Sequence, residues 1–498
     1  MPRTLARATA LLLLGLAAAS AAPLFAQTLA PAKPEKPLTL EECIGLAMKK
    51  NFDLQIQDTA TEIARENLNI AKGDFLPTFT ATSDRNLSRG TRSIPQNDGT
   101  IRLVPSDSNS TAFGAGVSER LPQTNGTLSL TGNISRASLQ REPFSSGVKL
   151  ALSQPLLKNA GPTVARANLE RNKIGLGIAY LNYRGRVLTV IRDTENAYYN
   201  LVGARETLRI RQLTLDYNQR LFEENKTRRA TGVATDLDVL TAEYGVANSR
   251  RAVVQAEQTV SDREDALLNL INVPNFDVRP GTVSFEDYKP EPISFAASYK
   301  LTRANYPDTL SIEQTIKQLE IDVATAKQNR LPLLNLTAAL SSSTTDTSYG
   351  DVTTLLPNDH GDNRSLGLSY SMPWGMKADR ARYRSAIINR DAQKIRLEQL
   401  ELSLLVQVRT AVRSVETNVI TVEIAVKATE LAAKQYELQK ARFDAGLSTS
   451  RLVLQAQDDL ETARFNELSA KVTLRGAVAE LHRLEGTSIK RFGVQLPE

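Results

Sequence analysis

The amino-acid sequence predicts a mixed α/β membrane protein in which long antiparallel coiled-coil helices alternate with the strands of a shared β-barrel. Three observations predict this fold class. Residues 1–26 have the pattern of an export leader, apolar residues recur in heptads through long proline-free stretches, and between those stretches apolar and small polar residues alternate with period two. Composition agrees: 41% apolar and 23% charged residues argue against a disordered chain, while 5% aromatics is thin for a large globular core and normal for coiled coils.

The leader comes first. Arg3 and Arg7 precede an apolar run from Ala8 to Ala19, and Leu24-Phe25-Ala26 follows. This is the charged, apolar and small-residue order of a secretory signal peptide, and the run falls short of the roughly 20 residues that span a bilayer. Pro31, Pro34 and Pro37 then predict an extended lead-in. Cys43 follows Thr39-Leu40-Glu41-Glu42, without the small or apolar residues of a lipidation site, and is expected to pack in a helix. No later segment holds 18 uninterrupted apolar residues, so an exported chain of this kind enters a membrane as a closed β-barrel.

The helices are read from spacing. Val187, Thr194, Leu201, Leu208, Leu215 and Phe222 recur every seventh residue. Val408, Val412, Val415, Val419, Val422 and Val426 alternate spacings of four and three, which is one helical stripe and not a strand. Similar stripes run from Val239 to Leu270 and from Val453 to Leu484. The strands are read from alternation. Phe113, Ala115 and Val117; Leu128, Leu130 and Ile134; Val148, Leu150 and Leu152; Leu334, Leu336, Ala338 and Leu340; and Leu366, Leu368, Tyr370 and Met372 each alternate with small or polar residues. Apolar outside and polar inside is the membrane-barrel signature; a half-buried soluble sheet alternates in the same way. The leader favours the barrel, as do the polar tracts Arg89–Ser110 and Ser341–Asn363, expected to be extracellular loops. Asn125-Gly126 predicts a hairpin over Phe113–Ile134 that turns near Pro122–Gly126.

The order repeats. Phe75-Leu76-Pro77 answers Arg330-Leu331-Pro332, Ser153-Gln154-Pro155 answers Ser371-Met372-Pro373, and Lys226–Val233 answers Lys440–Leu447. Repeat one is expected over 27–273, with strands at 76–155, a long helix at 162–229, a turn at 230–234 and a helix at 235–272. A proline-rich connector at 274–295 leads to repeat two over 296–486, with strands at 331–373, a long helix at 378–443, a turn at 444–448 and a helix at 449–485; 487–498 is a tail. The strands of one chain are too few to close a barrel, whose smallest forms have about eight, so the wall must be shared between copies.

Function classes narrow by elimination. One cysteine excludes a disulfide framework and a cysteine-built zinc site, and His360 and His482 are too few and too far apart for a histidine metal site or Ser-His-Asp chemistry. A net charge of +6 from 61 basic and 55 acidic residues is no argument for nucleic acid. No nucleophile–base pair or phosphate loop stands out, so no enzyme, cofactor or metal is expected.

Taken in order, Leu38-Thr39-Leu40-Glu41-Glu42, Phe75-Leu76-Pro77, Leu331-Pro332, Gln154-Pro155-Leu156-Leu157 and Arg442-Phe443-Asp444-Ala445-Gly446-Leu447-Ser448 followed by Leu454-Gln455-Ala456-Gln457 resemble the TolC-type outer-membrane efflux proteins. The resemblance covers nearly all the chain after the leader. It implies a homotrimer in outer-membrane lipid, with a β-barrel continuing into a periplasmic α-helical barrel. It further implies work with an inner-membrane pump and a periplasmic adaptor (a membrane fusion protein) to expel drugs, metals or proteins. The family barrel takes four strands per chain; the additional alternating segments here make an extra hairpin. The resemblance places both glycine turns at the periplasmic tip, where Gly232, Val233, Gly446, Leu447 and Ser448 would meet the adaptor. The positions that hold the family's entrance carboxylates are here Leu452 and Gln455, with Asp458 and Asp459 a turn further on, and Asp238 is the candidate entrance charge. An exported coiled-coil adaptor or structural protein is the competing function; it explains heptads and leader but not the barrel-type strands.

Overall fold

A computed structural model describes residues 38–137, 144–273, 293–355 and 361–496, with residues 281, 283 and 285 between. The expected leader, the proline lead-in, most of the 274–295 connector, His360 and the last two residues lie outside the described residues.

Thr39 opens the first helix, α1 (Leu40–Lys50), with a capping box: the Glu42 N–H donates to Thr39 Oγ1 at 3.2 Å, and the Thr39 N–H to Glu42 Oε2 at 3.1 Å. Asn51 ends α1 and starts α2 (Phe52–Gly73), its Oδ1 accepting from the Asp53 and Leu54 amides at 2.9 and 3.3 Å. Six strands follow in two groups among the described residues. β1 (Thr78–Pro95), β2 (Ile101–Arg120), β3 (Thr127–Ala137) and β4 (Phe144–Pro155) precede the first long helix. The one-turn α3 (Pro162–Ala165) leads into α4 (Ala167–Ala230), and α5 (Asp236–Leu270) returns along it. The second half runs α6 (Phe295–Asn305), α7 (Pro307–Gln328), β5 (Leu333–Asp346), α8 (Tyr349–Leu355), β6 (Gly361–Ser371), α9 (Lys377–Asp444) and α10 (Ser450–Glu485), then the short α11 (Ser488–Arg491).

All six strands form one antiparallel sheet in chain order, β1-β2-β3-β4-β5-β6. Its register lines up chemistry across strands. Phe79, Val117, Leu130, Leu150 and Leu340 stand in one row, and Leu128, Leu152, Ala338 and Leu366 in another. The opposite face holds the row Thr80, Gly116, Thr131, Lys149, Ser341 and Asn363. The Phe113–Ile134 segment is a hairpin, with Phe113 opposite Ile134 and Asn125 at φ 63° in the turn.

The polar tract Arg89–Ser110 is not a loop, and that expectation is corrected. β1 and β2 pair without interruption from Thr78↔Ser118 to Pro95↔Ile101, so only residues 96–100 turn. The tract escaped because its few apolar residues, Ile94, Ile101, Leu103 and Val104, are split between the two faces and give no sustained alternation; ladder hydrogen bonds do not require an apolar face, and period-two reading does. Ser341–Asn363 is likewise only partly loop: β5 continues to Asp346, α8 follows, and β6 begins at Gly361.

The helices pack as two long rods, each flanked by a shorter pair placed end to end. α2 and α5 (22 and 35 residues) lie along the 64-residue α4, which is roughly 95 Å long, and α7 and α10 (22 and 36 residues) pack against the 68-residue α9. The ends are bonded where they meet: Asn51 Nδ2 donates to the Leu270 carbonyl at 2.9 Å, and Asn305 Nδ2 to the Glu485 carbonyl at 3.4 Å. One core joins α1, α4, α5 and α11 around Cys43, Ile44, Val187, Ile191, Leu201 and Leu267. A second joins α9 and α10 around Val408, Val412, Val415, Leu474 and Leu481. Val419 and Val422 are half-buried beside it, but Val426 is exposed. On α4 the heptad stripe holds only as far as Leu201; burial then moves to Ile210, Thr214, Asn218, Leu221 and Asn225. Those positions lie about half a turn round the helix, where α10 replaces α1 as the neighbour: Gln457 Nε2 donates to the Thr214 carbonyl at 3.3 Å. Among the described residues no helix is long and apolar enough to cross a membrane.

Candidate functional site

The two helix reversals are built alike from the backbone up. α4 ends with Gly232 at φ 74°, the Gly232 N–H donating to the Arg229 carbonyl at 3.0 Å and the Val233 N–H to Arg228 at 2.9 Å. α9 ends with Gly446 at φ 75°, the Gly446 N–H donating to Phe443 at 2.9 Å and the Leu447 N–H to Arg442 at 2.8 Å. Each is a Schellman closure, which needs a left-handed residue after the helix; glycine takes that conformation without the Cβ clash. The closure throws the next side chain outward, and Val233 and Leu447 are each 74% exposed.

The helices that leave the turns begin differently. Thr235 caps α5 in a box with Asp238: the Asp238 N–H donates to Thr235 Oγ1 at 3.2 Å, and the Thr235 N–H to Asp238 Oδ2 at 3.0 Å. Thr449 stands before α10, and its side chain makes no capping bond. Ser450, the first residue of α10, donates from Oγ to Asp238 Oδ1 at 3.3 Å and so ties the two turns together. The Thr235 hydroxyl and backbone, then Ser450, hold the Asp238 carboxyl below the usual carboxylate range. Asp238 is thus an ionised group already engaged by one helix start and its neighbour.

Arg228 completes the junction. Its Nη2 donates to the Phe443 carbonyl at 3.2 Å, its guanidinium lies 3.9 Å from the centre of the Phe443 ring, and Glu224 pairs with it at 2.8 Å. The arginine therefore satisfies a C-terminal carbonyl of α9 and stacks on a buried ring at once. Ser448 lies alongside, its Oγ accepting from Gln439 Nε2 at 3.0 Å. The structure brings Gly232, Val233, Asp238, Gly446, Leu447 and Ser448 to one end of the molecule, joined through Arg228, Phe443 and Ser450. Sequence reading did not find the contacts that join them; the signal was the arginine four residues before each glycine, Arg228 and Arg442, which the repeat shows but whose contacts only the fold decides.

One to three turns into α10, Leu452, Gln455, Asp458 and Asp459 are all exposed, and the Asp458 carboxyl is pushed up from the usual carboxylate range by partial desolvation and then by Asp459. Among the described residues no three His, Cys, Asp or Glu side chains converge as a metal site would require.

The family model described as outer membrane efflux protein matches residues 43–273 and 298–487. Among relatives, the pyoverdine export outer membrane protein OpmQ of Pseudomonas aeruginosa is 30% identical over 31% of this chain and 32% of its own length. The outer membrane protein TolC of Escherichia coli is 23% identical over 61% of this chain and 64% of its own. The chain thus spans a third to just under two thirds of these relatives. Among solved structures, the CmeC outer membrane channel of Campylobacter jejuni superposes with a TM-score of 0.69 at 18% identity, over 92% of this chain and 90% of that one. The MtrE outer membrane channel of Neisseria gonorrhoeae, in its open state, gives 0.66 at 19% identity, over 91% and 90%.

Proposed function

Because the chain belongs to the outer membrane efflux protein family, we propose that three copies form the exit duct of a tripartite efflux or type I secretion system. The duct is passive: it has no catalytic residues, conducts substrate from periplasm to exterior, and depends on an adaptor and an inner-membrane pump. The observation that carries this reading is the apolar row Phe79, Val117, Leu130, Leu150 and Leu340, continuous across five strands and reaching Arg364 only on the edge strand β6, while the opposite face is polar and mostly small. Such a sheet suits lipid on one side and water on the other. Its edges, β1 and β6, offer unpaired backbone groups, which lipid does not tolerate. A second copy supplies the partner edge.

The helices support the same assembly. Ile56, Ile63 and Ile70 on α2, and Ile388, Ile395 and Leu402 on α9, recur in heptads yet are exposed in the single chain. Stripes of this spacing are seams for neighbouring helices. The halves α2–β1 to α5 and α7–β5 to α10 follow one plan, each with a matching Schellman turn between its long helix and its last one, in keeping with an internal duplication. The turns lie at the end of the rods remote from the sheet, where Val233 and Leu447 form the adaptor-docking surface. Asp238 contributes a fixed negative charge beside the entrance.

Fractionation and native mass spectrometry test the reading together. The protein is expected in outer-membrane fractions, released only by detergent, and trimeric in mild detergent. A freely soluble periplasmic protein, or a monomer with intact fold, would overturn it.

A further inference from the structure

A trimer of four-stranded chains closes a twelve-stranded barrel. This chain places six strands in one sheet, and the register decides where the additional pair lies. β2 and β3 sit between β1 and β4, each hydrogen-bonded on both sides. They keep phase with their neighbours on both faces: Val117 and Leu130 stand in the apolar row, Gly116 and Thr131 in the polar one. A hairpin that projected from the wall or lay across the lumen would lose one of those pairings and the phase with it. Crowding marks the polar face as the concave one. A Cβ on Gly114 would lie 2.8 Å from Thr82 Oγ1, one on Gly116 2.9 Å from Thr131 Cγ2, and one on Gly367 2.8 Å from Thr337 Oγ1. Side chains converge inside a curved sheet, and glycine permits the curvature. The β2–β3 turn is also anchored at the helical end: the Gly161 N–H donates to the Thr124 carbonyl at 3.2 Å, and Arg166 Nε to that of Pro122 at 3.1 Å.

We infer that the barrel wall has eighteen strands, six from each of three copies, with β6 of one copy adding to β1 of the next. The inference rests on the shared-barrel reading above. With strands about 4.8 Å apart and tilted about 40°, eighteen give a backbone diameter of about 36 Å, against about 24 Å for twelve. Barrels of this strand number hold an aqueous channel. In the polar row Lys149 is the one charged side chain, the others being Thr80, Gly116, Thr131, Ser341 and Asn363. The outer-membrane segment therefore admits bulky hydrated cargo with little selection by size, and size selection falls to the helical segment.

Cysteine labelling tests this without background, because the sole native thiol, Cys43, is buried and pushed up to about 12 by that burial. In intact cells, a membrane-impermeant maleimide added outside is expected to react with Thr131→Cys on β3 and Thr337→Cys on β5 at rates within about twofold, and with lipid-facing Leu130→Cys at least about tenfold more slowly. Native mass spectrometry of the unmodified protein tests the trimer separately: a monomer or dimer removes the shared-barrel reading and this inference with it. A trimer in which Thr131→Cys is protected while Thr337→Cys reacts overturns only the eighteen-strand wall. Strand counting by cryo-electron microscopy of the unmodified protein in nanodiscs decides the same point if a variant fails to assemble: eighteen supports the inference, twelve ends it.

Discussion

Glu195 is buried on α4, and its Oε1 has no hydrogen-bond partner among the described residues. Burial pushes its carboxyl up to about 7, with Arg491 and then Arg475 pulling the other way. An acid whose folded pKa exceeds its unfolded value contributes stability below the unfolded pKa, near 4.5, and loses that contribution as pH rises through 7. Glu195→Gln is therefore expected to stabilise the protein at pH 8, by roughly 3 kcal/mol at most, and to change little at pH 5. Thermal melts at the two values check it; a variant less stable at pH 8 would show a charged Glu195 paired with the arginines. At the tips, Leu447→Asp is expected to abolish efflux while trimer and outer-membrane level stay unchanged, read by drug susceptibility and native mass spectrometry. Gly446→Asp is the weaker test, because its φ of 75° adds a strain of about 1 kcal/mol to the added charge. Normal efflux in Leu447→Asp cells would remove the turns from the docking surface. Gly446 and Leu447 were legible as a turn because glycine after a heptad run has one common use; the Arg228–Phe443 stack was not, since its partners lie far apart in the chain.

At the scale of elements, helix spacing is set by small residues where rods cross. A Cβ on Gly203 of α4 would come within 2.9 Å of Val472 Cγ2 on α10. Gly203→Val is expected to cost about 1–3 kcal/mol through overpacking, seen as a lower melting temperature. A variant as stable as the parent would show that α10 can move aside. The valine stripe on α9 was readable because Val408, Val412 and Val415 meet one neighbour along one face. The α4 stripe misled beyond Leu201 because a helix in a wall changes partners along its length, and a single heptad register describes only one partner. Strands were readable where apolar and small polar residues take opposite faces. They were not readable in the outer half of β1 and β2, where polar residues such as Arg89 and Asp107 face each other across the ladder as an exposed ion pair.

For the whole molecule, the proposed assembly depends on stripes that a lone chain leaves uncovered. Ile63→Asp places a charge in the exposed α2 heptad and is expected to shift the trimer towards monomer without unfolding the helices, measured by native mass spectrometry and circular dichroism. A trimer of unchanged stability would assign that stripe to another contact. The sheet carries one more consequence. β1 and β2 have 18 and 20 residues, but β6 has 11. A 20-residue strand tilted about 40° climbs roughly 50 Å, about twice the 25 Å of a barrel's apolar band. In the proposed duct each copy thus raises a mostly polar two-stranded mast above the barrel, capped by the Gln96–Thr100 turn with Gly99 at φ 80°. In the proposed trimer three such masts form its outermost part. Their turns accept a spliced peptide for surface display while leaving seams, lumen and tips untouched.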